Sequence, residues 1–172
     1  MSGSLVKIAE EKVLEVVSTV TLTGIDDTFD VYVLLTNSVT STTDNGAIRL
    51  RVTVGGSADT SANYDNAYKL LTTGTFTNQH NINMTSWEFA GGTGTGTGET
   101  VQNILYLYNF SNASEYSYTS WENTTYNHSP QLFGAQGGNA HTVNQSCDGV
   151  QFFGSTGNIQ INSKFVLYGL KK

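Results

Sequence analysis

The sequence contains little cysteine, proline or positive charge. Cys147 is the only cysteine among 172 residues, so no disulfide can form within the chain, and we expect this residue to be a partly buried small hydrophobe. Eight lysines and arginines stand against 14 acidic residues and give a net charge of −6. Because Lys and Arg provide most of the affinity for phosphate groups, this balance argues against direct binding to nucleic acid.

Long apolar runs and recognisable catalytic motifs are also missing. No run of about 18 apolar residues is present that could span a membrane, and the N-terminus lacks the apolar stretch of a secretory signal. We therefore expect synthesis in a cytoplasm and no membrane partner. No Gly-x-Ser-x-Gly elbow occurs, and the histidines lack the spacing of a zinc site. The sequence thus predicts a non-enzymatic protein without catalytic residues, cofactor or metal.

Isolated polar residues support only weaker hypotheses. His141 falls in a segment that is typical of an exposed strand, where it could meet its symmetry mates in an oligomer. For the acidic turn at 26–30, hydrogen bonding to the turn backbone is favoured over calcium binding. Residues 91–98 predict a flexible hairpin tip, because a phosphate cradle requires a lysine and a following helix. A glycosidase carboxylate pair is less favoured than solvent-facing roles for Glu88, Glu99, Glu115 and Glu122.

Small polar residues and aromatics are abundant. The chain has 24 Thr, 16 Ser, 16 Asn and 18 Gly, together with 19 aromatic residues, but only 13% charged residues. Short alternating apolar runs lie between the polar stretches, which is typical of strands joined by turns. We therefore predict an all-β fold, an antiparallel β-sandwich that is jelly-roll-like, with eight or nine short strands and at most one short helix.

The clearest strand follows the turn signal at 44–46. Ile48, Leu50 and Val52 alternate there with Arg49 and Arg51, so one face of the strand is apolar. The only helical spacing after the N-terminus is at 61–71, which predicts a short helix or an irregular lid. Further strands are predicted at 29–36, 84–89, 101–110, 115–122, 140–143, 150–153 and 164–170.

The first 17 residues fit both a helical stripe and an extended chain. We favour an extended N-terminal arm over 1–17 that docks on a neighbouring subunit, followed by a single jelly-roll-like domain over 18–172. The domain has an aromatic-rich middle, which comprises Trp87, Tyr106, Tyr108, Tyr116, Tyr118 and Trp121. Aromatic rings stack on sugars, but they also concentrate in cores and subunit interfaces. The candidate residues for a glycan or subunit contact are Trp87, Tyr116, Tyr118 and Trp121.

Several short segments carry a resemblance to a known family. Residues 20–26, 29–32, 104–110 and 165–170 resemble, in order and spacing, small β-rich virion proteins of tailed bacteriophages from aquatic bacteria. Matching pieces also occur at 63–65, 148–150 and 157–159, so the resemblance spans 20–170. Lys164 departs from the pattern, which has Gly before the final Phe. The resemblance implies a jelly-roll-like, trimeric virion subunit without enzymatic activity, and it supplies no catalytic residues.

Two functions are compatible with this resemblance. The leading expectation is a capsid decoration (cement) protein that binds the outside of a phage head, with the major capsid protein or other virion proteins as partners. It would act as a homotrimer and be located in the virion. The alternative is a tail-fibre or head-fibre tip that recognises glycans on the host surface.

Overall fold

Thirteen strands and the turns between them make up the computed structural model, which describes residues 4–171. Every strand pairing is antiparallel, and no helix occurs within the described range. It follows that residues 4–171 include no helix that is long and apolar enough to cross a membrane. The strands are β1 (Ser4–Lys12), β2 (Thr19–Thr23), β3 (Val31–Val39), β4 (Gly46–Val54), β5 (Ser57–Ala58), β6 (Tyr64–Thr72), β7 (Phe76–Met84), β8 (Trp87–Thr93), β9 (Val101–Tyr108), β10 (Ser117–Tyr126), β11 (Leu132–His141), β12 (Gly149–Gly154) and β13 (Lys164–Lys171).

The strands form two sheets with the order of a jelly roll. The large sheet runs β1-β13-β3-β9-β10-β11-β6-β7, and the small sheet runs β2-β12-β4, with β5 and β8 also paired to β4. A jelly roll has eight strands in two sheets and is built from two Greek keys. Here the eight strands are β1-β13-β3-β9 in the large sheet and β2-β12-β4-β8 in the small sheet. The predicted all-β, jelly-roll-like sandwich is therefore confirmed. The predicted number of strands was too low, because five strands are inserted between jelly-roll strands.

Four of the inserted strands extend the large sheet beyond β9. We call β10, β11, β6 and β7 the wing. The helix predicted at 61–71 is wrong, because residues 64–72 are strand β6. Its inward positions include the polar Asn66 as well as Tyr64, Tyr68 and Leu70. A polar residue at an inward position hides the two-residue period, so that Tyr64, Ala67, Tyr68 and Leu71 mimic a helical stripe.

The main core lies between the two sheets. Inward side chains of β3 and β9, such as Leu34 and Leu105, meet those of β4 and β12, such as Leu50 and Phe152. The rings of Phe89, Phe152 and Phe165 pack in sequence, the first pair edge to face and the second tilted, at centroid distances of 5.2 and 4.5 Å. Large buried aromatic rings supply much of the apolar area that a chain with only 38% hydrophobic residues can bury.

The N-terminal segment belongs to the large sheet. Residues 4–12 form β1, which pairs with β13 of the same chain. This range is extended, as expected for 1–17, but it is a strand of the large sheet and not a separate arm. Val13 is buried, and the amide of Val17 bonds to Ile159. Residues 1–3 lie outside the described part of the chain. Glu10 of this strand accepts hydrogen bonds from Lys164 and Lys7, each 2.8 Å long. These bonds lower the pKa of Glu10 to about 2, and the bond from Lys164 has the larger effect.

Candidate functional site

The outer face of the large sheet carries a shallow trough. Paired residues of neighbouring antiparallel strands point to the same face. Tyr106 pairs with Ser120, Ser120 with Gly138 and Gly138 with Ala67, so three small residues follow one aromatic residue across four strands. We call the three small residues, Ser120, Gly138 and Ala67, the floor of the trough. Because the floor has almost no side-chain height, the neighbouring rows form its walls.

One wall of the trough consists of hydrogen-bonding side chains. Ile104 pairs with Glu122, Glu122 with Gln136 and Gln136 with Lys69, so a carboxylate, an amide and an amine stand side by side. All three are exposed. Within residues 4–171, no hydrogen bond or ion pair engages the side chains of Glu122, Gln136 or Lys69. These groups are therefore available to a ligand.

The opposite wall is aromatic. Tyr118 pairs with Tyr108 on one side and with Ala140 on the other. Its side chain is 44% exposed, and that of Tyr106 at the end of the floor is 37% exposed. The hydroxyl of Tyr108 lies 3.1 Å from that of Ser120, which fixes the Tyr108 ring above the sheet. The tyrosines thus present ring surface to the trough and are partly held in place.

The trough and its surroundings are hollowed enough to hold a small ligand. Depressions of about 390 and 540 Å³ lie along it, the first beside Tyr106 and Glu122 and the second beside Tyr118 and Gly138. A larger depression of about 660 Å³ lies beyond the polar wall and shares Glu122 with the first. Ligand sites commonly have volumes of about 300–1,000 Å³.

Only part of the predicted aromatic site reaches this surface. Trp87 is 1% exposed and donates from Nε1 to the carbonyl of Ala140 at 3.1 Å. Trp121 is 6% exposed and donates to Asn139 Oδ1 at 3.2 Å. Both indoles point inward, so their burial contradicts a direct glycan or partner contact. Of the other two candidates, Tyr118 forms the aromatic wall, and Tyr116 lies exposed in the turn before β10.

Two tyrosines of the aromatic-rich middle that were not among the four candidates lie on β9. Tyr106 and Tyr108 point outward, whereas Leu105 and Leu107 are fully buried. All four residues are apolar or aromatic, so the sequence of this strand does not indicate which face is exposed. The contrast between fully apolar leucines and tyrosines with a hydroxyl group is the one signal that could have identified the outer face.

His141 does not lie on the surface. It is fully buried, with Nε2 3.2 Å from Asp59 Oδ2 and its ring centroid 4.7 Å from that of Tyr64. Burial lowers the pKa of His141, and the nearby Asp59 carboxylate offsets only part of this effect. The expectation that His141 meets its symmetry mates is therefore wrong, because the alternation of β11 turns this side chain into the core.

Cys147 is also fully buried, more completely than the partial burial expected from the sequence. Its Sγ lies 3.7 Å from Ser117 Oγ, which donates to it. Burial raises the pKa of the thiol to about 11, so it is protonated at neutral pH. Because the thiolate is the reactive form, this cysteine is a packing residue.

The glycine-rich segment is attached to the sandwich. Residues 91–93 belong to β8, and Thr40 Oγ1 donates to the carbonyl of Gly94 at 2.7 Å. The Glu99 carboxylate accepts the amide of Gly96 at 2.7 Å, which places negative charge where a phosphate would bind. In the acidic turn, Asp26 accepts hydrogen bonds from the Thr28 amide and the Tyr32 hydroxyl. Across residues 4–171, no group of three or more acidic, His or Cys side chains could hold a metal ion.

The chain has no detectable relatives in the comparisons made with known proteins. No protein-family model matches it, and no curated protein or solved structure is significantly similar to it. The surface of the jelly roll and its wing is therefore what bears on function.

Proposed function

We propose that this protein is a non-enzymatic structural subunit of a phage virion, of the capsid decoration type. It binds the outside of the head as a homotrimer, with the major capsid protein as its partner. The proposal is supported by the resemblance of residues 20–170 to small virion proteins and by the jelly-roll fold. It is carried by one observation, the exposure of strand β7.

Strand β7 buries very little within its own chain. Seven of its nine residues are exposed, including Phe76 at 69% and Ile82 at 64%. It pairs with β6 on one side, and no strand of residues 4–171 pairs with its other edge. Edge strands of this length with exposed apolar side chains readily pair with another chain. We therefore assign β7 to a contact between subunits.

The two edges of the large sheet differ in charge. Strand β1, at one edge, carries Lys7, Glu10, Glu11 and Lys12, which discourage pairing with another strand. Strand β7, at the other edge, contains no Lys, Arg, Asp or Glu. In a protein of net charge −6, an uncharged edge is where copies approach with the least repulsion. This difference favours self-association through the wing.

A trimeric decoration protein would gain attachment strength by binding several capsid subunits at once. Linked contacts can raise the overall affinity by orders of magnitude without a strong individual site. The acidic charge suits a position outside the head, away from the packaged genome.

The oligomeric state tests the proposal. We expect a trimer in size-exclusion chromatography with light scattering at micromolar concentration, and a folded monomer for Ile82→Lys. The matched control is Thr19→Lys, which adds the same charge to an exposed position of β2, an edge strand of the small sheet. The Thr19→Lys variant should remain trimeric and should cosediment with heads of the phage that encodes the protein. A monomeric wild type that does not cosediment would refute the proposal.

A fibre tip that recognises host glycans is a second candidate, favoured by the trough on the outer face. The polar and aromatic walls described above are suited to a soluble ligand, and the depression beside Tyr118 also borders His80 and Ile82 of β7. The two candidates differ in location on the particle. A density map of the intact virion distinguishes them by placing this subunit on the head or at a fibre end.

A further inference from the structure

We propose that the trough binds a neutral oligosaccharide, with Tyr106 and Tyr118 contacting the sugar rings and Glu122 and Gln136 bonding their hydroxyl groups. The inference deepens the glycan-binding candidate by naming the ligand class and the residues. Because binding is measured on the isolated protein, its failure leaves the decoration role untouched.

The floor of the trough has the shape for a flat ring. Ser120, Gly138 and Ala67 lie on three adjacent strands, and strands are about 4.8 Å apart, so the floor is about 10 Å long. A saccharide ring has two broad faces with C–H groups and a rim of hydroxyls. The small floor residues let one broad face approach the sheet closely, as a larger side chain at Gly138 would not.

The two walls match the two chemical features of a sugar. Tyr118 offers ring surface to the C–H groups, and Tyr106 does the same at the end of the floor. On the other side, Glu122 accepts hydrogen bonds, Gln136 both donates and accepts, and Lys69 donates. Hydroxyl groups also donate and accept, so a saccharide can satisfy all three side chains.

The charges around the trough favour a neutral ligand. Glu122 lies in one wall, and Asp65, which pairs with Ala140, lies at the end of the other wall. Lys69 is the one cation of the three polar wall residues. Asp65 accepts a hydrogen bond from the Asn83 amide. An anionic ligand would meet two carboxylates.

Isothermal titration calorimetry with defined saccharides tests this site. The probes are the neutral hexasaccharides of glucose, mannose, xylose and N-acetylglucosamine, with a heparin hexasaccharide as the anionic probe. We expect at least one neutral probe to bind with a Kd below about 1 mM and heparin to bind more weakly. Tyr118→Ala and Glu122→Gln should each weaken binding by about tenfold or more.

Two further variants separate this site from a general surface effect. Tyr126→Ala removes a tyrosine that is 49% exposed on the same strand and the same face but outside the trough, and it should leave the Kd within about twofold. Gly138→Val fills the floor. The nearest atom to a Cβ at Gly138 is Thr119 O at 3.5 Å, an ordinary contact, so this variant should fold normally yet lose binding.

Three results would overturn the inference. The first is that none of the neutral hexasaccharides binds. The second is that Gly138→Val binds as well as the wild type, and the third is that heparin alone binds. A folded trimer with any of these results would remove the saccharide site while leaving the assembly role intact.

Discussion

The jelly-roll sandwich and the wing bury different kinds of side chain. Between the two sheets of the sandwich, the contacts are apolar and aromatic, as among the packed rings of Phe89, Phe152 and Phe165. On the inner face of the wing, Asn139 donates to Thr119 Oγ1 at 2.7 Å and accepts from Trp121 at 3.2 Å. The sandwich is thus held by apolar burial, and the wing is held to a larger extent by paired polar groups.

This difference follows from what covers each part of the large sheet. The strands β1, β13, β3 and β9 belong to the jelly roll and lie opposite the small sheet. The wing meets the small sheet at its strand β8, through Trp87 and Phe89, and ends in β7, which is exposed. A buried polar group is tolerated when its partners are present, but it adds less stability than a well-packed phenyl ring. We infer that the sandwich provides stability and that the wing provides surface.

The largest expected effect is that of a substitution in the sandwich. Phe152→Ala removes a fully buried ring between Phe89 and Phe165 and should lower the free energy of unfolding by about 3–5 kcal/mol. Urea denaturation followed by tryptophan fluorescence measures this. The control is Tyr126→Ala in the wing but outside β7, where the ring is 49% exposed and the loss should be below about 1 kcal/mol. Equal losses at the two positions would show that the comparison is mistaken.

An intermediate effect is expected for the polar contacts under the wing. Asn139→Ala leaves Trp121 Nε1 and Thr119 Oγ1 buried without this partner and should cost about 1–3 kcal/mol. Asn144→Ala is the matched control, because Asn144 is an exposed asparagine that follows β11 and lies outside the proposed subunit contact. If both variants unfold at the same urea concentration as the wild type, the polar contacts do not hold the wing.

The sandwich was predictable from the sequence because its strands alternate cleanly. In β4, Ile48 and Leu50 face the core while Arg49 and Arg51 face outward, and the structure has this arrangement. Such alternation, together with turn signals, was enough to predict an antiparallel jelly-roll-like sandwich. Its pairings, such as β1 with β13, join opposite ends of the chain and depend on contacts that no local pattern encodes.

The wing and the trough were not predictable, for different physical reasons. Asn66 of β6 is a polar residue at a buried position, so the apolar period of the strand was lost. Trp87 was a candidate contact residue because aromatic rings are common at binding sites. Its side chain, however, points into the core from an inward-facing position of β8. The trough itself is a product of register across four strands, since Ser120, Gly138 and Ala67 are far apart in the sequence.

A smaller effect concerns His141, where the wing meets the core. Burial lowers the pKa of this side chain below its ordinary value of 6.5, so the unfolded chain binds a proton that the folded chain does not. The contribution of His141 to stability is therefore complete above pH 6.5 and is lost as the pH falls from 6.5 towards the folded pKa, at up to about 1.4 kcal/mol per pH unit.

Urea denaturation of the wild type and of His141→Gln between about pH 5 and 8 isolates this contribution, because most carboxylates titrate at lower pH. The groups nearest to the imidazole are Asp59 and Tyr64. The wild type should lose stability below pH 6.5, and the variant should have a flatter profile over that interval. Parallel profiles would mean that the pKa of His141 is the same in the folded and the unfolded chain. A wild type that gains stability relative to the variant below pH 6.5 would mean that the contact with Asp59 is an ion pair.

The smallest effect is expected at the end of the wing. Ile82 is 64% exposed, and Ile82→Thr keeps a β-branched side chain in β7. The substitution should therefore change the unfolding free energy of the monomer by less than about 0.5 kcal/mol. Amide hydrogen exchange on a dilute sample provides a second measurement, because the β7 amides should exchange faster than those of β3 in both proteins. A loss above about 1 kcal/mol in the monomer would mean that β7 packs against its own chain. Its exposed apolar side chains would then need no second subunit to cover them.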